Sequence, residues 1–291
     1  MSGAAWAGLM VGAVWLWARR EADRPILEHH RVPVAGLPAG TGPVRIAHLT
    51  DVHGRSLGAR RWQVLRWLVR IKPDLVAVTG DVIDRGADLA PAARWLGAMA
   101  ARFPVVAVLG NHDHAAGVPV RSVVRRLQAH GVAVLINQAR PVRVRGVPLW
   151  LIGVDDPALG RARLARALAG VRGPGVRVLL AHTAGVLDEA QAAGIDVYLC
   201  GDTHGGQVRL PGLTRLIGYM AYRIRHWEGL HRCGPTWLYV NRGLGTSGVP
   251  VRFRCPPEVA VLELVPQAAA RLGKPHRPQA RRPAQHCPAR S

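Results

Sequence analysis

Lysine is nearly missing from this chain. Lys72 and Lys274 are the only two, so 39 − 2 = 37 of the basic residues are arginine. Acidic residues are also few, at 18, and the formal net charge is +21. Such a balance invites a nucleic-acid reading. The arginines are scattered, however, and the sparse aromatics, 5% of the chain with two Phe, do not interleave with them. Without a basic stripe lined by stacking rings, nucleic acid is a poor partner, and an anionic membrane surface or phosphate groups fit the charge better. Arginine without lysine, beside abundant Ala, Gly, Val and Pro, points to a GC-rich genome. Cysteine is scarce as well. Its four positions, 200, 233, 255 and 287, contain no C-x-x-C pair and no small disulfide framework. Cys200 ends an apolar run and reads as a core residue; Cys233 and Cys255 would pair only in an oxidising compartment, and a reducing one is the simpler expectation.

The N-terminus lacks the basic lead and small-x-small exit of a cleaved signal peptide. Residues Gly3–Ala18 are almost wholly apolar, with Trp6, Trp15 and Trp17 near the ends and Arg19, Arg20 and Arg24 following. An uncleaved single anchor over residues 1–20 is the expectation, with the catalytic domain on the cytoplasmic side of the cytoplasmic membrane. A signal peptide and an interfacial helix remain alternatives.

What is present is a set of five polar clusters. They are Asp51-Val52-His53, Gly80-Asp81-Val82-Ile83-Asp84, Gly110-Asn111-His112-Asp113, Ala181-His182, and Gly201-Asp202-Thr203-His204-Gly205-Gly206-Gln207. Each follows an apolar, β-branched run: Val44–Leu49, Leu75–Thr79, Val105–Leu109, Val176–Leu180 and Val197–Cys200. A strand ending in Asp, Asn or His offers a metal-capable group at the carboxyl edge of a sheet, where open α/β sheets bind ligands. The donors are oxygen and imidazole nitrogen without thiolate. That shell suits Mn, Mg, Fe or Zn in a working site, rather than a closed, cysteine-rich structural zinc. A shared carboxylate can hold two such ions about 3.5–4 Å apart, the arrangement that clamps a phosphoryl displacement.

On these motifs the chain resembles the calcineurin-like metallophosphoesterases over roughly residues 44–265. Within them it is most similar to the bacterial membrane-associated branch that includes UDP-2,3-diacylglucosamine hydrolases. The resemblance implies a four-layer α/β/β/α sandwich and two divalent ions, manganese foremost, with Mg, Fe or Zn as alternatives. It implies one ion on Asp51, His53, Asp81 and His204, and a second on Asp81, Asn111, His182 and position 202. His112 would assist the leaving oxygen as general acid, oriented by Asp113. The family's last motif usually begins Gly-His, where this chain has Asp202, and Ala184 stands where Pro is frequent. The implied activity is hydrolysis of a phosphoester or pyrophosphate bond in a phosphate-containing substrate, with a lipid-linked one such as UDP-2,3-diacylglucosamine as the candidate. A phosphodiesterase or nuclease on soluble substrates, and a binding protein with a degenerate site, are the competing readings.

Around the motifs, residues 21–43 read as a linker with an extended segment at Arg31–Val34. Residues 44–266 read as the catalytic domain and 267–291 as a disordered basic tail. The apolar spacing predicts helices over Arg60–Ile71, Leu89–Ala101, Val118–His130 and Arg161–Leu168. It predicts a hairpin over Val142–Val144 and Pro148–Val154, and late strands at Trp237–Val240 and Glu258–Val265. Strands alternating with helices, then a hairpin-rich second half, suggest two packed sheets covered by helices. Asp155-Asp156 read as a turn or cap. Residues 213–236 mix apolar and basic positions, either as a surface for an acylated substrate or as an amphipathic helix on the core.

Overall fold

The computed structural model describes residues 3–54, 58, 60–210, 212–222, 224–267 and 285–286. In chain order its strands are β1 (Ile26–Val34), β2 (Val44–Leu49), β3 (Leu75–Thr79), β4 (Val105–Val108), β5 (Ala133–Val134), β6 (Gln138–Val144), β7 (Val147–Gly153), β8 (Val176–Leu180), β9 (Val197–Cys200), β10 (Gly229–Cys233), β11 (Thr236–Val240), β12 (Glu258–Pro266) and β13 (Gln285–His286). The helices are α1 (Gly3–Ala22), α2 (Arg60–Ile71), α3 (Leu89–Ala100), α4 (Asn111–Ala115), α5 (Val120–Gln128), α6 (Leu164–Leu168), α7 (Leu187–Ala192) and α8 (Leu213–Tyr222).

The strands form two sheets, in the orders β1-β12-β2-β3-β4-β5 and β13-β10-β11-β9-β8-β7-β6. The central strands β2, β3, β4 and β7, β8, β9 run parallel within their sheets. Every residue of β3, β4 and β9 is buried. Such strands carry continuous Val, Leu and Ala because both faces are covered. Between the sheets lies a core with Ile46, Val108, Leu149, Val178 and Leu262. The outer face of the first sheet packs on α2, α3 and α5 through Leu68, Leu96 and Leu127. The second sheet packs on α6 and α7 through Leu164 and Ala190. The result is the expected α/β/β/α sandwich.

Three expectations change. Within residues 21–43, the segment Ile26–Val34 is not a linker but an edge strand, paired in parallel with β12 from Ile26↔Glu258 to Val34↔Pro266. The sheet therefore takes in residues before 44. At the N-terminus, no helix among the described residues is long and apolar enough to cross a membrane. Helix α1 turns basic at Arg19 and Arg20 in its last turn. The 16 apolar residues before them span about 24 Å, short of the roughly 30 Å hydrocarbon layer. The single N-terminal anchor, and the cytoplasmic-membrane placement built on it, is corrected accordingly. The base of α1 instead joins the domain: the Arg252 amide donates to Ala18 O (3.0 Å), and Trp17 meets Phe253 edge to face at 4.9 Å. Third, the cysteines are not all reduced: Cys233 is disulfide-bonded, though not to Cys255, which is a free buried thiol. Apart from Gln267 and the two residues of β13, the basic tail lies outside the described residues.

Candidate metal centre

All five polar clusters come together at the carboxyl edges of the parallel strands, on the seam between the sheets. The first sheet supplies Asp51 and His53 after β2, Asp81 after β3 and Asn111 after β4. The second supplies His182 after β8, and Asp202 and His204 after β9. Local backbone is bent hard to do this. Asp51 (φ 48°), His53 (43°), Asp81 (50°), Asp202 (71°) and His204 (48°) all lie in the left-handed region. For residues with a Cβ this conformation is costly and clusters at functional sites. The glycines in the motifs have a steric cause. A Cβ at Gly110 would collide with the Asp81 carboxylate, and one at Gly80 would come within 2.6 Å of the His182 ring and 2.7 Å of Gly110 N.

The donor atoms converge in overlapping groups on either side of Asp81. On one side, His53 Nε2 lies 3.1 Å from His204 Nε2, and His204 Nε2 lies 3.2 Å from Asp51 Oδ1. On the other, His182 Nε2 lies 3.3 Å from Asp81 Oδ2 and 3.4 Å from Asp202 Oδ1. Asp81 Oδ2 stands between them, 3.8 Å from His53 Nε2. Its other oxygen is engaged by the His112 amide at 2.9 Å. Asp51, His53 and His204 form one group with ligand atoms within 4.8 Å of one another, Asp51, Asp81 and His182 a second, and His53, Asp81 and His112 a third, so Asp51 and Asp81 each join two groups.

The unused polar atoms are consistent with cations. Asp51 Oδ1, Asn111 Oδ1 and His182 Nε2 are buried and have no hydrogen-bond partner. A buried carboxylate oxygen or ring nitrogen left this way costs free energy unless something else satisfies it. The tautomers agree as well. His182 Nδ1 donates to Thr79 O (2.8 Å), which leaves the Nε2 lone pair free. His53 Nδ1 faces Asp84 Oδ1 at 2.5 Å, the carboxylate–histidine pairing that orients metal-ligating rings. The donor set therefore fits divalent ions.

Asp84 has a second task that its neighbours in sequence do not reveal. The same Oδ1 lies 2.9 Å from His112 Nδ1. Burial works against ionising Asp84, yet its bonds to His112 and His53 hold its carboxyl below the usual range. In return the Asp84 bond, opposed by burial, raises the His112 pKa, with the Asp81 charge assisting. Asp113 sits elsewhere. Its carboxylate accepts from the amides of Gly110 (3.0 Å), Val82 (2.9 Å) and Ile83 (3.1 Å), tying the β3 and β4 loops together. Burial, then the nearby Asp81 charge, pushes its pKa up to about 7 despite those bonds. The carboxylate bonded to the His112 ring is thus Asp84. It lies inside a motif already singled out, but only the tertiary structure assigns it this role.

Arg252 is a further residue without a local sequence signal. Fully buried, it donates to Gly245 O (2.6 Å) and Arg242 O (2.8 Å), bracing the 242–245 turn behind Asp51 and His204. Asp155 and Asp156 behave as a turn: Asp156 Oδ1 accepts from Ala158 N (2.6 Å), and Asp155 pairs with His114 (2.7 Å). Helix α8 stands directly on the turn that carries His204. Thr203 Oγ1 donates to Trp227 O (2.6 Å), and the Trp227 ring lies against Gly218, where any Cβ would collide with it.

Comparison with known proteins agrees with this geometry. Residues 44–153 match the family model described as calcineurin-like phosphoesterase. The phosphodiesterase YaeI of Escherichia coli K12 is 32% identical over 197 residues, 67% of this chain and 71% of that protein. Two metallophosphoesterases of Bacillus subtilis 168 are also similar. YkoQ is 29% identical across 77% of this chain and 84% of its own length, and YkuE 28% identical across 91% and 94%. A metal-dependent phosphoester hydrolase by this evidence, the chain belongs to the calcineurin-like phosphoesterase family.

Proposed function

We propose that the seam holds two divalent ions and that the protein cleaves a phosphodiester or pyrophosphate bond in a substrate with an apolar, acylated part. The observation that carries the reading is Asp81 Oδ2, which lies between two donor groups, each drawn from both sheets. Asp51, His53, Asp81 and His204 would hold one ion; Asp81, Asn111, His182 and Asp202 would hold the other. Bound there, such ions supply Lewis acidity and a nucleophile at neutral pH.

The protein's own residues do the rest. His112 is anchored through Nδ1 to Asp84, and its Nε2 lies 4.0 Å from Asp81 Oδ2, on the site side of the ring. The Asp84 bond raises its pKa and so favours the protonated form, the state required to give a proton to the leaving oxygen. The amide of Asn111 stands at the same strand end, positioned by the Gly110 turn to neutralise charge on the phosphoryl group.

Substrate class is argued from the rim. On α8, Leu213, Ile217 and Met220 are exposed at helical spacing, and Leu210 and Val249 continue the apolar surface beside the His204 turn. An acyl chain on the substrate would cover them. Arginines nearby, such as Arg225 and Arg254, suit the phosphate-rich surface that presents such a lipid. UDP-2,3-diacylglucosamine, as an intermediate of lipid A synthesis, has both parts, a pyrophosphate and acyl chains.

The test is a turnover screen of purified protein with Mn, Mg, Zn and Fe against UDP-2,3-diacylglucosamine, bis-p-nitrophenyl phosphate and single-stranded DNA. Preferred cleavage of the acylated pyrophosphate supports the reading. Activity confined to the soluble diester or DNA overturns the lipid substrate, and no turnover with any metal overturns the enzyme.

A further inference from the structure

The two donor groups are not chemically equal. The first has two imidazoles and two carboxylates: His53, His204, Asp51 and Asp81. The second has one imidazole against three oxygen ligands: His182 with Asp81, Asn111 and Asp202. We propose that Asp202 makes the second position a hard-ion site, selective for Mn or Mg over Zn, while the first keeps the mixed shell that Zn and Fe accept. This rests on the two-ion reading above.

The geometry carries Asp202 into the shell. Its Oδ1 lies 3.4 Å from His182 Nε2, which lies 3.3 Å from Asp81 Oδ2. Donors bound at about 2.1 Å to one ion are separated by roughly 3.0 Å at right angles and about 3.4 Å at tetrahedral angles. The carboxylate is therefore at ligand spacing from His182, while Asp202 joins none of the groups whose ligand atoms lie within 4.8 Å of one another, so its side chain must swing toward Asp81 to complete the shell. Its backbone fixes that aim: the Asp202 amide donates to Asp51 Oδ2 at 3.0 Å, across the seam, and its φ of 71° is one that Asp tolerates better than most residues. His182 Nε2 and Asn111 Oδ1, both buried and without a hydrogen-bond partner, supply two more donors for the same position.

Hardness follows from the donor count and from access. Oxygen-rich shells favour Mg and Mn, and imidazole-rich ones favour Zn. The Asp202 side chain is 39% exposed, while those of His182 and Asp81 are 0% and 3%. The second position therefore opens to solvent on the Asp202 side. A hard ion that keeps water ligands needs such an opening. The same side is free to admit a phosphoryl oxygen, so the exchangeable position and the hard position coincide.

The experiment titrates chelator-stripped full-length protein with Mn, reads bound Mn by electron paramagnetic resonance and calorimetry, and then displaces it with Zn. Wild type should bind two Mn and release them in two stages, the second needing at least about tenfold more Zn. Asp202→His should merge the two stages. Asp202→Asn, which keeps the shape and the left-handed backbone, should bind the second Mn at least about tenfold more weakly, the scale for disturbed metal shells. Two Mn bound by all three proteins, with the same displacement curve, would overturn the role of Asp202 and leave the two-ion reading standing. Fewer than two Mn in the wild type would overturn both.

Discussion

His48 should make the fold acid-sensitive in a way that can be calculated. It sits at 0% exposure in β2, with Nε2 2.8 Å from Thr79 Oγ1 and Nδ1 without a hydrogen-bond partner. Burial lowers its pKa to about 3, from about 6.5 in the unfolded chain. The folded state thus binds this proton more weakly than the unfolded state. Its contribution to stability is complete above pH 6.5 and is lost as pH falls toward 3. A shift of 3.5 units corresponds to a limit of about 5 kcal/mol at about 1.36 kcal/mol per unit. Between pH 7 and pH 4 the loss is about 3 kcal/mol, because the unfolded ring is by then nearly all protonated. Carboxylates titrate in the same range, so the measurement is a difference. Urea unfolding of wild type and His48→Gln is followed at both pH values with chelator present; Gln keeps a polar partner for Thr79 but does not titrate. The pH-dependent loss in wild type should exceed that in the variant by about 3 kcal/mol. Equal losses would refute a neutral, desolvated His48 and mean that the ring finds a stabilising charge or water on protonation.

Other outcomes concern the site. Asp81→Ala should abolish turnover and both ions, read by metal analysis, because its Oδ2 belongs to each donor group. His112→Ala should retain the ions and slow turnover by about 10²–10⁴-fold, the range for a lost general acid. Asp84→Asn removes the bond that raises the His112 pKa. The fall of kcat/KM at high pH, where His112 loses its proton, should therefore begin at lower pH than in wild type, and an unmoved limb would show another group to be the acid. Ile217→Asp should raise KM for an acylated substrate and leave bis-p-nitrophenyl phosphate hydrolysis unchanged, since the residue lies on the exposed face of α8.

Much of this was legible before any coordinates. The strands β2, β3, β8 and β9 end where the apolar runs end, and α2 spans the predicted residues, because buried parallel strands and one-faced helices leave strong local patterns. The proposed ligand set stands out for the same reason, as polar residues at strand ends. Pairings between distant segments were not. Strand β1 lies among prolines and glycines, and its partner β12 begins at Glu258, so nothing nearby marks it as part of a sheet. His112 shows the same limit at the site. The adjacent Asp113 was the natural candidate to orient it, but a residue on the first turn of a short helix can point its carboxylate back at the loop amides, and Asp113 does. Asp84, 28 positions earlier, reaches the ring because β3 and β4 are neighbours in the sheet. The apolar run of α1 invited a membrane span, and the arginines of its last turn and its length decide otherwise.

The seam gives the centre a place in the history of each molecule. Neither sheet alone carries a full ligand set for either position: Asp51, His53, Asp81 and Asn111 come from one, His182, Asp202 and His204 from the other. A half-formed chain with one sheet built can chelate only weakly, so tight loading must wait until the sheets have docked. Bound as proposed, the ions would act as a clasp across the two halves, and their binding free energy would add to the stability of the docked state. On that proposal, maturation of the enzyme and closure of its fold would be one event, and stripping the ions would be felt first as slippage between the sheets rather than as melting within either.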